Sequence, residues 1–145
     1  MALGGLEEID FQIQHNRTIY RCYQKLLLAL PGLKLLQFNE AEPTSFKNIV
    51  VELTDQWPLS RALTIELLNA EGILSRAYYY PPLHQKKMAY PAITTPLPFS
   101  ERASQRYLLM PCGYQVGTED VGRTLEFMQW LAQNHTAISA QWEKS

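Results

Sequence analysis

The chain has 145 residues, of which 46 % are hydrophobic and 19 % are charged, and its net charge is −1. This size and composition predict one globular domain with a core of its own, and they exclude a fibrous or disordered chain. The small net charge gives no field that would attract nucleic acid or an anionic membrane.

The two cysteines and the first residues bear on the cellular compartment. Cys22 and Cys112 belong to no CxxC or Cys/His spacing, which favours buried, reduced thiols over a disulfide or a zinc site. The chain opens without a signal-peptide pattern, and its longest apolar run, residues 26–31, is too short to cross a bilayer. We therefore expect a soluble cytoplasmic protein that contacts no membrane and binds no metal.

The first predicted element is a long helix that ends before Pro31-Gly32. Its apolar residues recur at steps of three and four positions: Leu6, Ile9, Ile13, Tyr20, Tyr23 and Leu27. Two strands follow at residues 33–38 and 47–53, with a loop between them. A second helix is predicted over residues 60–68, and Gly72 lies just beyond it.

The second half of the chain alternates short elements with proline-rich loops. A third strand is predicted over residues 73–80, and residues 81–98 are expected to be irregular with one helical turn. Ser100 is the expected N-cap of a short helix, which leads to a strand at residues 107–110.

Thr118 is the expected N-cap of the last helix, with acidic residues in its first turn. Its predicted inward residues are Val121, Leu125, Met128 and Leu131.

This order of elements predicts an α+β fold. We expect a two-layer sandwich in which a small, mainly antiparallel sheet is covered by helices on one face. Residues 1–30 would form a long linking helix, residues 33–135 the α+β core, and residues 136–145 a tail.

The segment from Tyr78 to His84 is the most unusual stretch for chemistry. Three tyrosines end a predicted strand, two prolines stiffen the exit, and an imidazole follows. Rigid loops at strand ends are frequent places for binding sites, and an imidazole can donate a hydrogen bond or move a proton. The structural alternative is that the tyrosines pack on the sheet and His84 is a surface polar group. No nucleophile elbow, phosphate-binding loop or metal-ligand pair is present, and the three histidines are scattered.

The same segment resembles the DegT/DnrJ/StrS family of nucleotide-sugar aminotransferases. The run Tyr-Pro-Pro-Leu-His at residues 80–84 follows a Gly-Ile-Leu turn at residues 72–74. Upstream, the helix at residues 2–10 is followed by Asn16-Arg17 and Tyr20, as in the family. The downstream motifs also appear in the family's order: Leu97-Pro98, Ser100-Glu101-Arg102-Ala103-Ser104, Leu109-Met110-Pro111 and Val116-Gly117-Thr118-Glu119-Asp120-Val121.

The resemblance implies the C-terminal small domain of an aspartate-aminotransferase-like fold. Such enzymes use pyridoxal phosphate to move an amino group onto a keto-sugar attached to a nucleotide, and a lysine forms the aldimine and shuttles the proton. The histidine of the family's motif lies at the mouth of the active site. The resemblance therefore implies that His84 contacts the sugar nucleotide, with Tyr80 as a second substrate-binding residue at the same loop.

The resemblance also implies that several functional parts belong upstream of this chain. The family's Schiff-base lysine, the aspartate at the pyridine nitrogen and the phosphate-binding residues all precede the matched helix. None of the six lysines lies in the expected context: Lys25, Lys34, Lys47, Lys86, Lys87 and Lys144. We expect no catalytic residue, no bound cofactor and no activity in this chain alone, and pyridoxal phosphate only in the intact enzyme.

Three hypotheses remain open at this point. The chain is a domain of a larger aminotransferase, whose partner is the missing large domain. Alternatively, it is one half of a split enzyme, and a second subunit carries the lysine. A third hypothesis makes it a non-catalytic binding or assembly module, in which the apolar stripe of the first helix forms a homodimer.

Overall fold

Helix α1 covers Ile9–Leu27 and opens the part of the chain that the computed structural model describes, namely residues 8–87, 89–90 and 95–143. Its buried face is confined to the second half of the helix and consists of Ile19, Tyr20, Tyr23 and Leu27. The predicted inward residue Ile9 is instead 46 % exposed, because the first turns of α1 extend beyond the core. Leu6, which was predicted on the same stripe, lies outside the described residues.

Among the described residues, four strands form one antiparallel sheet, which confirms the predicted α+β class. The strands are β1 (Leu33–Leu35), β2 (Ile49–Leu53), β3 (Arg76–Ala77) and β4 (Tyr107–Met110). Their order in the sheet is β1-β2-β4-β3, and each neighbouring pair is antiparallel. The two central strands are therefore β2 and β4, and β3 is an edge strand that only β4 supports.

The third strand is much shorter than the predicted residues 73–80. Before it, the Ser75 amide donates to the side chain of Asn69 at 2.9 Å, so this amide is not available to a neighbouring strand. After it, the Tyr78 amide still donates to the Tyr107 carbonyl at 3.1 Å, but Tyr79 adopts a left-handed backbone with φ 49°. A residue in that conformation turns the chain out of the sheet, so the tyrosines belong to a loop.

The described part of the chain contains four further α-helices: α2 (Arg61–Ala70), α3 (Pro98–Arg106), α4 (Thr118–Gln133) and α5 (His135–Trp142). Ser60 caps α2 by accepting from the Leu63 amide at 3.2 Å. Helix α5 occupies most of the segment that was predicted as a tail. None of its residues is buried, and its sequence has no apolar face from which the helix could have been predicted.

Two predicted helix caps are wrong. Helix α3 begins at Pro98, a residue suited to the first helical position, so Ser100 already lies inside the helix. Helix α4 has Gly117 as its N-cap, and the Asp120 carboxylate accepts from the Gly117 amide at 2.9 Å. Thr118 is therefore the first helical residue rather than the cap.

The core joins α1, the sheet and α4 in one apolar cluster. Inward residues alternate along the central strands, with Ile49, Val51 and Leu53 on β2. The predicted inward residues of α4 are all buried: Val121, Leu125, Met128 and Leu131. This packing confirms the predicted periodicity of α4. On β2 the burial is nearly continuous, because Val50 is buried as well.

Two further features concern the cysteines and the helices. Cys22 and Cys112 are free and half-buried, as predicted for unpaired thiols. Among residues 8–87, 89–90 and 95–143, none of the helices is both long enough and apolar enough to span a membrane.

We predict that Gly32→Ala destabilises the fold more than Gly72→Ala. Both glycines have positive φ, +88° and +78°, so each substitution costs about 1–2 kcal/mol from the backbone alone. A Cβ at Gly32 would in addition lie 2.6 Å from the Trp57 backbone nitrogen, whereas a Cβ at Gly72 meets nothing within 4 Å. Urea unfolding of the two variants measures the difference, and equal losses would contradict the close approach.

Candidate functional site

The chain leaves β3 in a loop at the edge of the sheet, residues 78–84, which we call the aromatic loop. Tyr79 is 76 % exposed and Tyr80 is 59 % exposed, while Tyr78 is half-buried beside them. The rings of Tyr78 and Tyr79 meet edge to face with centroids 4.5 Å apart. The loop thus turns two large aromatic surfaces outward on a backbone that the sheet supports.

Arg61 holds Tyr80 in place from the first turn of α2. Its guanidinium carbon lies 4.7 Å from the centre of the Tyr80 ring, a distance typical of a cation–π contact. The same guanidinium donates to the carbonyl of Ser104 and, at 3.5 Å, to the carbonyl of Tyr107. Burial lowers the pKa of Arg61 from its usual value. One side chain therefore joins the loop, α2 and the junction of α3 with β4.

His84 lies in a 3₁₀ turn at Leu83–Gln85 and points to α3. Its Nε2 lies 3.1 Å from Oε1 of Glu101, and only 15 % of its side chain is exposed. The same carboxylate oxygen accepts from the Leu97 amide at 3.1 Å. The Leu97 hydrogen bond, and after it the contact with His84, lower the pKa of Glu101.

A cleft of about 580 Å³ lies under the aromatic loop. Two cationic side chains, Arg76 and Lys86, line it together with Tyr80 and the amide of Asn48. His84 is not among its lining residues. The structure therefore places the two predicted site residues on one loop but gives them different neighbours, Tyr80 with Arg61 and His84 with Glu101.

The other two histidines have structural contacts. Nε2 of His15 lies 3.1 Å from the Gly113 carbonyl and 3.0 Å from the Val116 carbonyl, so this nitrogen must carry a proton to donate. Nδ1 of His135 lies 2.9 Å from the Ala132 carbonyl. Within the described ranges, no three His, Cys, Asp or Glu side chains gather in a way that could hold a metal ion.

Sequence reasoning missed Arg61, Glu101 and the cations of the cleft as site residues. Arg61 is the first residue of α2 and lies far from the loop in the sequence, and nothing in the residues around it distinguishes it. Glu101 stands in a recognised motif of the resemblance, which is the one signal that could have singled it out.

We predict that Arg61 and Tyr80 are energetically coupled. In a double-mutant cycle of Arg61→Met and Tyr80→Leu, the coupling free energy should be about 0.5–1 kcal/mol, as for a partly exposed cation–π pair. Tyr80→Phe keeps the aromatic face and should retain most of the coupling. Urea unfolding of the single and double variants measures it, and additive losses would refute the contact.

We also predict that Glu101 contributes to acid sensitivity. Because its pKa is lower in the folded state, its hydrogen bonds stabilise the fold above the ordinary value of 4.5 and are lost as the pH falls through the folded value. Glu101→Gln offers an acceptor that does not titrate. Its free energy of unfolding should therefore decline less steeply than the parent's below pH 4.5, and parallel declines would contradict the prediction.

Known proteins with similar sequences and structures point to one family. Residues 1–129 match the DegT/DnrJ/EryC1/StrS aminotransferase family. The chain is 27 % identical over 113 residues to the dTDP-4-amino-4,6-dideoxy-D-glucose transaminase of Escherichia coli, covering 76 % of this chain and 30 % of that protein.

Two solved structures extend this similarity to the fold. DesI, crystallised in the presence of its TDP-sugar product, matches 99 % of this chain and 37 % of its own, with 27 % identity and a TM-score of 0.89. Spr1654 from Streptococcus pneumoniae, in its PLP form, matches 91 % of this chain and 34 % of its own, with 21 % identity and a TM-score of 0.76.

The chain spans about a third of the length of these proteins. The family match nevertheless covers residues 1–129, from α1 into α4, and includes every residue of the aromatic loop. This confirms the resemblance found in the sequence, and the chain belongs to the DegT/DnrJ/EryC1/StrS aminotransferase family.

Proposed function

We propose that this chain is the small two-layer α+β domain of a pyridoxal-phosphate-dependent aminotransferase that acts on a nucleotide-linked keto-sugar. In this proposal it supplies the loop on the substrate side, and the Schiff-base lysine belongs to another part of the enzyme. The observation that carries the proposal is the family match over most of this chain, combined with a span of about a third of the relatives' length.

The aromatic loop has chemistry that suits a sugar nucleotide. Exposed tyrosine faces such as Tyr79 can stack against a nucleobase or a sugar ring. Arg76 and Lys86 line the adjacent cleft and can neutralise the two phosphates of a nucleotide diphosphate. The Escherichia coli relative is named for a dTDP-linked amino sugar, which makes a dTDP-sugar the first ligand to test.

His84 and Tyr80 have separate roles in this proposal. Tyr80 lines the cleft directly and is held by Arg61, so it would contact the sugar nucleotide through its ring or hydroxyl. His84 is mostly covered and bound to Glu101, so it would contribute one nitrogen to the ligand from the border of the loop.

The described residues do not fit the role of the cofactor site. A lysine that forms a Schiff base is activated by desolvation or by a neighbouring cation. All five described lysines are exposed: Lys25, Lys34, Lys47, Lys86 and Lys87. Lys144 lies outside the described residues. Pyridoxal phosphate supplies the electron storage of transamination when it is bound, and we assign no step through it to this chain.

The proposal also names partners and a compartment. The chain would work with a large domain or second subunit that carries the lysine, within a dimeric enzyme in the cytoplasm. Its low net charge and aromatic cleft support a small-molecule ligand rather than nucleic acid.

We predict that the 145-residue chain forms no specific adduct with pyridoxal phosphate. The lysines should react only weakly and at several positions, because the five that the structure describes are all exposed. Borohydride reduction followed by peptide mapping measures the stoichiometry and the positions. A stoichiometric adduct at one lysine would overturn the proposal, and substitution of that lysine by arginine would verify the assignment.

A further inference from the structure

One carboxylate oxygen of Glu101 contacts both His84 and Leu97. Oε1 accepts from Nε2 of His84 at 3.1 Å and from the backbone amide of Leu97 at 3.1 Å. The Glu101 amide in turn donates to the Leu97 carbonyl at 2.9 Å. Glu101 therefore fixes His84 and the start of α3 relative to each other.

This contact selects one tautomer of His84. A deprotonated carboxylate can only accept, so Nε2 of His84 must carry the proton that lies between them. In a neutral imidazole the other nitrogen, Nδ1, then has a free lone pair and acts as an acceptor. In this form Nδ1 can accept a hydrogen bond from a hydroxyl or an amino group.

We propose that Glu101 is a positioning residue that holds His84 in its Nε2–H tautomer, so that Nδ1 accepts a hydrogen bond from a hydroxyl or amino group of the sugar. The inference rests on the proposed function, because it takes His84 as a substrate contact. It adds which nitrogen is used, what kind of substrate group it meets, and which residue controls it. Loss of the carboxylate would allow the proton to move to Nδ1, and that nitrogen would then be a donor.

The local geometry offers a variant that separates charge from hydrogen bonding. Because Oε1 makes both contacts, the amide oxygen of Glu101→Gln can take over both of them. Glu101→Ala removes the acceptor altogether. Glu126→Ala, on the exposed surface of α4, is a matched control for the loss of a helical glutamate.

The first test is the tautomer of His84, measured on the full chain labelled with ¹⁵N-histidine. Long-range ¹H–¹⁵N spectra are recorded about two pH units above the ordinary histidine pKa of about 6.5. The parent, Glu101→Gln and Glu126→Ala should show the Nε2–H form, and Glu101→Ala should show a mixture. His15, whose Nε2 donates to backbone carbonyls, should stay constant in all four proteins.

The spectra can overturn the inference directly. A parent in the Nδ1–H form, or a Glu101→Ala variant that keeps a pure Nε2–H form, would refute control by Glu101. Circular dichroism of each variant establishes that the fold is retained, and the Glu101→Gln spectrum tests the same control without removing the acceptor.

The second test is a titration with a dTDP-linked amino sugar, followed at Nδ1 of His84. The parent and Glu101→Gln should respond, and Glu101→Ala should bind more weakly by a factor of roughly 3 to 10, as for one lost hydrogen bond. Tautomer control without any response in the parent would overturn the substrate contact of His84 and leave its control by Glu101 intact. Equal affinity in Glu101→Ala would overturn the positioning role.

Discussion

Two buried tyrosines one turn apart on α1 connect this helix to the segments that follow β1 and β4, and the position of the sheet depends on them. Tyr20 and Tyr23 are both fully buried, and each hydroxyl has a partner: the Phe38 amide donates to Tyr20 at 3.2 Å, and Tyr23 donates to the Pro111 carbonyl at 3.1 Å. Burial raises the pKa of Tyr23, which keeps the phenol neutral and able to donate. Pro111 directly follows β4, so this hydrogen bond fixes the end of the strand on which β3 depends. The position of the aromatic loop thus traces back to α1.

The loop itself is supported by side chains as well as by its short edge strand. Strand β3 contributes two residues, and the chain leaves the sheet at Tyr79. From there Arg61 on α2 contacts Tyr80, and Glu101 on α3 contacts His84. Each helix therefore supplies one charged group to the loop, and these two groups lie at the border of the core rather than inside it.

Elements with a clear apolar pattern could be predicted from the sequence. Those whose ends are set by contacts between residues distant in the sequence could not. Strand β2 and helix α4 carry clear apolar patterns, and both formed as expected. The predicted long strand before Pro81 failed because tyrosine favours strands locally, whereas the Asn69 side chain and the turn at Tyr79 end the pairing. At the site, Tyr80 and His84 could be named from the family motif. The contacts that support them could not be predicted, although Glu101 stands in another motif of the resemblance, because Arg61 precedes the loop and Glu101 follows His84 by 17 residues in a separate helix.

This division between core and loop has a consequence for how the site can vary. The core cluster runs through α1, β1, the central strands, α2 and α4, and neither Arg61 nor Glu101 belongs to it. Substitutions at these two residues should therefore alter the arrangement of Tyr80 and His84 and cost less stability than substitutions within the core cluster. Residues that orient the aromatic loop can then change while the buried tyrosines of α1 stay. The orientation of the loop depends on a few polar contacts with α2 and α3, because the sheet edge constrains it through only two paired residues.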